Sequence, residues 1–331
     1  MSRIRVDRLR SPEDVGEAEA QTVWDALLAP LPAINPKYFY DDVGSALFEE
    51  ITELEEYYQM RAELALLETI ADDIVVRAQP HEMVELGSGA GRKVHLLLDA
   101  IQRRGLLTGC TLFDINGSFL VDSATRLSSD YPEILVEGVL GDFTRDLDSI
   151  GVGQRRLFVF FGGTIGNIEP WSMPGFLQMV RRAMAADDRF LVGLDLVKDT
   201  DRLEAAYNDS AGVTARFNRN TLSVLNARFG TDFEPESFEH RAFWDAEHEW
   251  IEMRLRATRS QSVEMPGDQR ILELERGAEI RTEISCKYTL KSFSTILTEP
   301  GLELDRWWRD ADGDFALALV KPSTDCRVES S

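Results

Sequence analysis

The chain has 331 residues, of which 44% are hydrophobic and 28% charged, proportions of a folded globular protein rather than a disordered or fibrous one. Its 58 acidic residues outnumber the 36 lysines and arginines, and the net charge of −22 opposes binding to nucleic acid or to an anionic membrane. No apolar run could span a bilayer, and residues 1–20 lack the apolar core of a secretory signal. We therefore expect a cytoplasmic protein with a small-molecule ligand, and the charge favours a monomer.

The cysteines and histidines predict neither a disulfide framework nor a metal site. Cys110, Cys286 and Cys326 are scattered and none belongs to a CxxC motif. The four histidines are dispersed as well, without HExxH spacing. We expect reduced thiols, as in the cytosol, and no bound metal.

The N-terminal part of the chain is predicted to change from helical to alternating structure. Residues 1–60 predict helices interrupted by a Pro- and Asn-rich loop at 30–42, and residues 61–78 predict a long amphipathic helix. From 81 to 197, apolar strands alternate with helical segments. This alternation indicates βαβ units and a parallel sheet that is covered on both faces.

The alternation stops after Val197. Residues 200–230 are mostly helical, and residues 237–265 predict two strands around the turn DAEHE. Residues 271–288 predict another strand pair, with Arg276-Gly277 at its turn. A helix and an antiparallel hairpin that joins the main sheet are expected in the tail from residue 290.

These elements divide the chain into an α/β domain and a second domain inserted late in the sequence. We predict that 61–195 and 287–331 form the α/β domain, and that 196–286 form an α+β domain. The N-terminal segment 1–60 is expected to join the inserted domain.

A glycine-rich turn is the first candidate for a ligand site. Glu85-Leu86-Gly87-Ser88-Gly89-Ala90-Gly91 follows a predicted strand and opens a helix, and glycines there let the backbone turn tightly and approach a ligand closely. The spacing departs from the GxGxxG of dinucleotide sites, and the acidic residue two positions before the first glycine favours S-adenosyl-L-methionine (SAM). A tight strand–helix connection without a ligand is the alternative.

The next three predicted strands also end in polar or glycine residues. Asp114 ends the second strand, where a carboxylate can hold ribose hydroxyls, and Asp142 with Phe143 ends the third, where they can contact an adenine. The fourth strand runs into Gly162–Asn167. Ligands bind outside the carboxyl ends of such strands, so these features point to one crevice. The alternative for each aspartate alone is a helix cap.

Lys93 stands in the first turn of the helix after the glycines, where its charge opposes the helix dipole. Holding the carboxylate of an amino-acid-like cofactor explains its position. Plain solvent exposure is the alternative.

Together these motifs resemble a known family, the histidine Nα-methyltransferases of ergothioneine biosynthesis, which use SAM and form hercynine. The resemblance runs from about Pro36 to Val320. Among the segments that carry it are PKYFYDDVGSALFEEIT, VELGSGAGRK, FFGGTIGNIEP, TEISCKY and WWRDADGDFALAL. It implies a Rossmann-type SAM-dependent methyltransferase domain with a second, substrate-binding domain. It also implies trimethylation of the α-amino group of L-histidine, with S-adenosyl-L-homocysteine as the other product.

The resemblance also implies roles for individual residues. The residues that would contact SAM are Gly87, Lys93, Asp114, Asp142 and Phe143. Those that would contact the substrate are Tyr57, Asn167, Tyr207, Met253, Glu283 and Ser285, with Tyr40 and Phe48 near the entrance loop. Of these, Asn167 and Tyr57 are the expected catalytic residues.

The substrate residues also have a physical interpretation. Glu283 and Ser285 alternate along a predicted strand and therefore point to one face, where a carboxylate and a hydroxyl can hold the two imidazole nitrogens. Asn167, Tyr57 and Tyr207 can hold the amino-acid end. The alternative for the strand is an exposed sheet face, and for each tyrosine it is ordinary packing.

Two other functions stay open on the sequence alone. One is a related methyltransferase for another amine, such as an indole amino acid, although a buried carboxylate at position 283 would be poorly paired there. The other is a SAM-binding sensor without turnover, against which Asn167 and the complete second domain argue.

Overall fold

The computed structural model describes residues 4–8, 16–89, 91, 93–151 and 153–323. It divides into two compact units. Of the described residues, unit 1 contains 4–8, those within Gln59–Val197 and 287–323, and unit 2 contains 16–58 and Lys198–Cys286. Cys326, expected to be a reduced thiol, lies outside the described residues.

In the described part of the chain, strands and helices follow the predicted order closely. The strands are β1 (Ile4–Arg8), β2 (Glu82–Leu86), β3 (Gly109–Asp114), β4 (Leu135–Leu140), β5 (Arg156–Phe160), β6 (Arg189–Asp195), β7 (Phe238–Asp245), β8 (Trp250–Ala257), β9 (Gln261–Glu264), β10 (Ile271–Leu274), β11 (Glu279–Cys286), β12 (Leu302–Arg309) and β13 (Phe315–Pro322). The helices are α1 (Gly16–Leu27), α2 (Asp42–Thr52), α3 (Tyr58–Ala78), α4 (Val94–Arg103), α5 (Gly117–Asp130), α6 (Met173–Ala183), α7 (Thr200–Ala205), α8 (Val213–Phe229) and α9 (Leu290–Ile296). Short 3-10 helices span Pro36–Phe39, Leu147–Ile150, Thr164–Asn167 and Pro235–Ser237.

Unit 1 is built on one eight-stranded sheet, in the order β1-β4-β3-β2-β5-β6-β13-β12. The strands from β1 to β6 in this order pair in parallel, whereas β13 is antiparallel to both β6 and β12. All five residues of β5 are buried, as expected for a strand covered on both faces. The predicted Rossmann-type α/β fold and the predicted C-terminal hairpin are both confirmed.

The core of unit 1 joins helices to this sheet. Leu67 and Ile74 of α3, Leu97 of α4 and Leu120 of α5 are fully buried in one cluster with Leu157 of β5. Burying side chains of this size contributes about 1.5–3 kcal/mol each. The cluster fixes the helices against the strands whose ends carry the candidate cofactor residues.

The first strand corrects the prediction for the N-terminus. Residues 4–8 were expected in the helical segment that joins the second domain, but they form β1, which pairs in parallel with β4 of unit 1. Three of its five residues, Arg5, Asp7 and Arg8, are charged. The apolar residues Ile4 and Val6 do alternate with charged ones, but two apolar positions are too few to identify a strand, and an edge position tolerates such a composition.

Unit 2 contains two small antiparallel sheets, β11-β8-β7 and β10-β9. A cluster of fully buried residues, among them Trp24 and Leu27 of α1 and Leu222 of α8, packs with Leu255 of β8. The strands β7 and β8 flank the turn DAEHE as predicted.

The expected pairing of the two strands in 271–288 is wrong. β10 pairs with β9, so that Leu272 lies opposite Val263, and β11 pairs with β8. Gly277, in the left-handed conformation, separates β10 from β11. Short alternating segments identify strands but do not specify their partners, which is why the pattern misled.

Among the described residues, no helix combines the length and the hydrophobicity that crossing a membrane requires.

Candidate active site

The glycine turn follows β2 and contacts the end of β3. Gly87 and Gly89 have φ values of 70° and 45°, in the left-handed region that glycine adopts without strain. The backbone N–H of Gly87 donates to the carbonyl oxygen of Phe113 at 2.7 Å. The turn is therefore fixed against the neighbouring strand end.

Asp114 supports the same turn from the end of β3. Its Oδ2 accepts the backbone N–H of Gly89 at 3.0 Å, and its Oδ1 accepts the N–H of Asn116 at 2.8 Å. The cap of α5 is Asn116, whose side chain accepts from Ser118 and Phe119, so Asp114 is not the helix cap itself. Burial raises the pKa of Asp114, although these hydrogen bonds act against the shift.

Asp142 and Phe143 follow β4. The Oδ1 of Asp142 accepts the backbone N–H of Thr144 at 3.0 Å and its hydroxyl at 2.5 Å, so this carboxylate supports a local turn. The next short helix, Leu147–Ile150, has Asp146 at its N-cap, so Asp142 is not the helix cap of the alternative interpretation. Phe143 packs edge-on against Phe160 of β5, with ring centroids 5.0 Å apart. A Cβ on Gly87 would lie 3.7 Å from the Phe143 ring, which places Phe143 beside the glycine turn.

Lys93 is 8% exposed, which excludes the alternative of a solvated lysine. Its Nζ lies 2.5 Å from Oε2 of Glu63, a fully buried residue of α3. The same oxygen accepts the backbone N–H of Gly162, after β5, at 2.8 Å. Glu63 is not among the site residues predicted from the sequence, yet its spacing from Leu67 and Ile70 puts it on the apolar face of α3, where a carboxylate is unusual.

Glu85 is buried at the end of β2, just before the glycine turn. Burial raises its pKa to about 8; nearby Lys93 lowers it, and Asp114 and Glu63 raise it further. At neutral pH this carboxyl group is therefore mostly protonated. Within the described part of the chain its Oε2 has no hydrogen-bond partner.

Asn167 ends the 3-10 helix Thr164–Asn167, which follows the fourth predicted strand end. Gly162 and Gly163 precede it with φ values of 76° and 68°, and the chain reverses sharply there. The ends of β2, β3, β4 and β5 in unit 1 thus carry all six of the expected residues of this unit: Gly87, Lys93, Asp114, Asp142, Phe143 and Asn167.

The expected imidazole-binding strand is buried in unit 2. Glu283 and Ser285 are 8% and 5% exposed, so the alternative of an exposed sheet face is wrong. Glu283 lies opposite Met253 of β8, and residues opposite each other in an antiparallel pair project to the same face. The backbone irregularity of this pair precedes Glu283, between Arg281 and Glu283, so the alternation from 283 to 285 is regular.

Tyr207 connects this strand to a half-buried histidine. Its hydroxyl donates to Oγ of Ser285 at 2.8 Å, and its carbonyl oxygen lies 2.8 Å from Nε2 of His240. Nδ1 of His240 lies 2.8 Å from Nδ2 of Asn218, a donor. Burial lowers the pKa of His240, and these partners assign its single proton to Nε2. The sequence predicts His240 as an isolated residue, because only the packing of α8 and of the segment after α7 against β7 brings it to these partners.

Aromatic rings complete the group in unit 2. Phe48 is edge-on to Tyr40 and to Tyr57, with centroid distances of 5.9 and 6.1 Å. These rings pack against the apolar cluster that contains Tyr207 and Met253. Unit 2 therefore brings together the remaining expected substrate residues: Tyr40, Phe48, Tyr57, Tyr207, Met253, Glu283 and Ser285.

Comparison with known proteins identifies the family of this chain. A family model described as histidine-specific methyltransferase, SAM-dependent, matches residues 19–322. The histidine N-alpha-methyltransferase of Mycobacterium tuberculosis is 41% identical over 309 residues, which is 93% of this chain and 96% of that protein. Its counterpart in Mycolicibacterium smegmatis is 41% identical over 308 residues, with the same coverage.

A more distant relative is ergothioneine biosynthesis protein 1 of Schizosaccharomyces pombe. It is 30% identical over 218 residues, which is 62% of this chain and 28% of that longer protein. The match of the family model and the two bacterial relatives each cover most of the chain. The chain belongs to the family of histidine-specific, SAM-dependent methyltransferases.

Proposed function

We propose that this enzyme transfers methyl groups from SAM to the α-amino nitrogen of L-histidine until the nitrogen carries three, so that hercynine is formed in the first step of ergothioneine biosynthesis. The observation that carries the choice of histidine is the buried polar pair Glu283 and Ser285 on β11, with Tyr207 bonded to the serine. A carboxylate and a hydroxyl that share one face of a buried strand can bind the two nitrogens of an imidazole.

The residues at the strand ends of unit 1 fit SAM. The positive-φ glycines at 87 and 89 allow close approach of a ligand, and Glu85 keeps a buried oxygen without a hydrogen-bond partner among the described residues. We assign Asp114 to the ribose hydroxyls, Asp142 and Phe143 to the adenine, and Lys93 to the carboxylate of the methionine part. SAM supplies an activated methyl group on a sulfonium sulfur.

The carboxylate of Glu283 sets the donor and acceptor roles on the imidazole. We assign the Ser285 hydroxyl, which is bonded to Tyr207, to the imidazole nitrogen that lacks a proton, because a hydroxyl can both donate and accept. Glu283 then accepts from the other nitrogen, which carries the proton. Neutral histidine in one tautomer satisfies both groups at once.

The transfer itself needs positioning more than acid–base chemistry. A carbon–nitrogen bond forms while the carbon–sulfur bond breaks, and the nitrogen must offer its lone pair in line with that bond. We propose that Asn167 and Tyr57 hold the amino-acid end of histidine so that the neutral amine is aimed at the methyl carbon. The ammonium group of free histidine loses one proton to solvent before the first transfer, and each of the first two transfers releases another. The third transfer releases none and leaves a fixed positive charge.

The aromatic rings of unit 2 suit the quaternary ammonium group that the third transfer leaves. Tyr40, Phe48 and Tyr57 lie within one edge-to-face group. Their π faces can stabilise a quaternary ammonium by about 0.5–2 kcal/mol. We propose that they let the substrate remain bound as its charge becomes permanent.

Mass spectrometry of the protein incubated with SAM and L-histidine tests the function. We expect products with one, two and three added methyl groups, and S-adenosyl-L-homocysteine in equal molar amount to the methyl groups transferred. Tryptophan and tryptamine serve as parallel substrates. Methylation of an indole amine with none of histidine would favour the alternative enzyme, and SAM binding without any methyl transfer would favour the sensor.

We also propose that the enzyme works in the cytoplasm as a monomer. The net charge of −22 opposes self-association. Light scattering at physiological salt should give the mass of one 37.4 kDa chain. A mass of two chains would contradict the proposal.

A further inference from the structure

We propose that Glu63 is a positioning residue of the cofactor site, which holds Lys93 ready for the SAM carboxylate and fixes the turn that leads to Asn167. The inference rests on the proposed role of Lys93. Its basis is one carboxylate oxygen, Oε2, that lies 2.5 Å from Nζ of Lys93 and 2.8 Å from the backbone nitrogen of Gly162.

The burial of Glu63 requires these partners. The residue has no exposed surface, and a buried carboxylate is very unfavourable unless it is paired and hydrogen-bonded. A lysine side chain is a flexible four-carbon stem with a point charge at its end. The ion pair therefore fixes the direction of a group that would otherwise sample many rotamers.

The surroundings of Glu63 leave room for this carboxylate. A Cβ on Gly193 of β6 would lie 2.1 Å from Oε1 of Glu63, so any larger residue at 193 would displace it. The Nζ of Lys93 also lies 5.3 Å from the centre of the Phe161 ring, which limits its movement on another side. The lysine is thus held between a carboxylate and an aromatic face.

The bond to Gly162 gives Glu63 a second role. Gly162 and Gly163 have left-handed backbones and lead directly into the 3-10 helix that ends at Asn167. One oxygen atom of α3 therefore connects the group proposed for the SAM carboxylate with the turn that carries the residue proposed for the substrate amine. Glu63 need not touch either ligand.

A double-mutant cycle separates positioning from a general structural effect. SAM binding is measured by calorimetry, without histidine, for the parent, Glu63→Gln, Lys93→Met and the double variant. Glu63→Gln keeps an oxygen for Gly162 but loses the charge that holds Lys93. We expect SAM affinity to fall about tenfold in either single variant, which is the effect of losing one charge-assisted hydrogen bond. The double variant should bind SAM no more weakly than Lys93→Met, because Glu63 acts through the lysine that this variant lacks.

Steady-state kinetics at saturating histidine test the bond to Gly162. Glu63→Gln should raise the KM for SAM and leave kcat within about threefold, whereas Glu63→Ala, which loses both bonds, should also lower kcat about tenfold. If Glu63→Ala does not fold, the double-mutant cycle of Glu63→Gln with Lys93→Met still tests whether Glu63 positions Lys93. Glu68→Gln, at an exposed position of the same helix, is the matched control and should bind SAM like the parent.

Three results would overturn the inference. The first is a SAM affinity of Glu63→Gln within about twofold of the parent, and the second is tighter SAM binding by Glu63→Gln. The third is that Glu63→Gln lowers SAM affinity by the same factor in the parent and in Lys93→Met. Tighter binding would mean that Glu63 competes with the cofactor for Lys93. The proposed function fails separately, when the parent protein binds SAM but does not methylate histidine.

Discussion

In unit 1 the proposed cofactor residues lie at turns that follow successive strands, whereas in unit 2 the proposed substrate residues lie along a strand and on the elements packed against it. The turn at Gly87 and the carboxylate of Asp114 are joined through backbone N–H groups. Glu283 and Ser285 depend instead on the register of β11 with β8. A site made of turns can be identified from a local motif, but a site made of strand faces requires the pairing to be known.

The two regions also differ in charge. The cofactor region combines Lys93 with the carboxyl groups of Glu63, Glu85 and Asp114, as a zwitterionic ligand requires. The substrate region offers hydroxyls, aromatic rings and the carboxylate of Glu283. Variants of the first region should therefore change SAM binding, and variants of the second should change the choice of amino acid. The following predictions test whether this separation holds.

The largest effect is expected at Asp114. Asp114→Ala removes the proposed ribose ligand and also the support of Gly89, so SAM binding should weaken by about 1.5–3 kcal/mol. Calorimetry measures this directly, and Asp122→Ala, at an exposed position of α5, is the control. An unchanged SAM affinity would remove Asp114 from the cofactor site.

Glu85 should make stability depend on pH. In the unfolded chain it releases its proton near pH 4.5, whereas burial raises its folded-state pKa to about 8. Between these values the folded state keeps a proton that the unfolded state has lost, so this contribution to stability falls as pH rises. We expect urea unfolding to show a loss of about 2 kcal/mol between about pH 6 and pH 8 that is absent in Glu85→Gln. The same pH dependence in both proteins would contradict a raised pKa.

A smaller effect is expected at Tyr207. Tyr207→Phe removes the hydroxyl that is bonded to Ser285, so the serine side chain is held less firmly for the imidazole. The KM for histidine should rise about fivefold, or about 1 kcal/mol, with SAM affinity unchanged. Tyr131→Phe removes a buried hydroxyl of unit 1 and should leave this KM unchanged. Loss of SAM binding in Tyr207→Phe would break the separation between the two regions.

Much of this architecture can be predicted from local sequence, and the exceptions have physical causes. The glycine turn, the strand ends at Asp114 and Asp142, and the C-terminal hairpin follow from patterns within a few residues. The partners of β10 and β11 and the contacts of His240 depend on pairing or packing between distant segments. The strand β1 was missed because its alternation contains only two apolar residues, Ile4 and Val6. Glu63 was missed because its partners lie about 30 and 100 residues away in the sequence, although its place on an apolar helix face was visible.

The ratio of kcat/KM for histidine to that for tryptophan, in the parent, Glu283→Ala and Asn167→Ala, tests the central claim most directly. A site that hydrogen-bonds its substrate rejects analogues that leave its buried groups unpaired. Glu283→Ala should therefore lower histidine turnover and reduce the ratio by about 100-fold, whereas Asn167→Ala should lower both rates and keep the ratio. An unchanged ratio in Glu283→Ala would contradict the account, because the carboxylate of Glu283 on β11 would then have no part in recognising the imidazole.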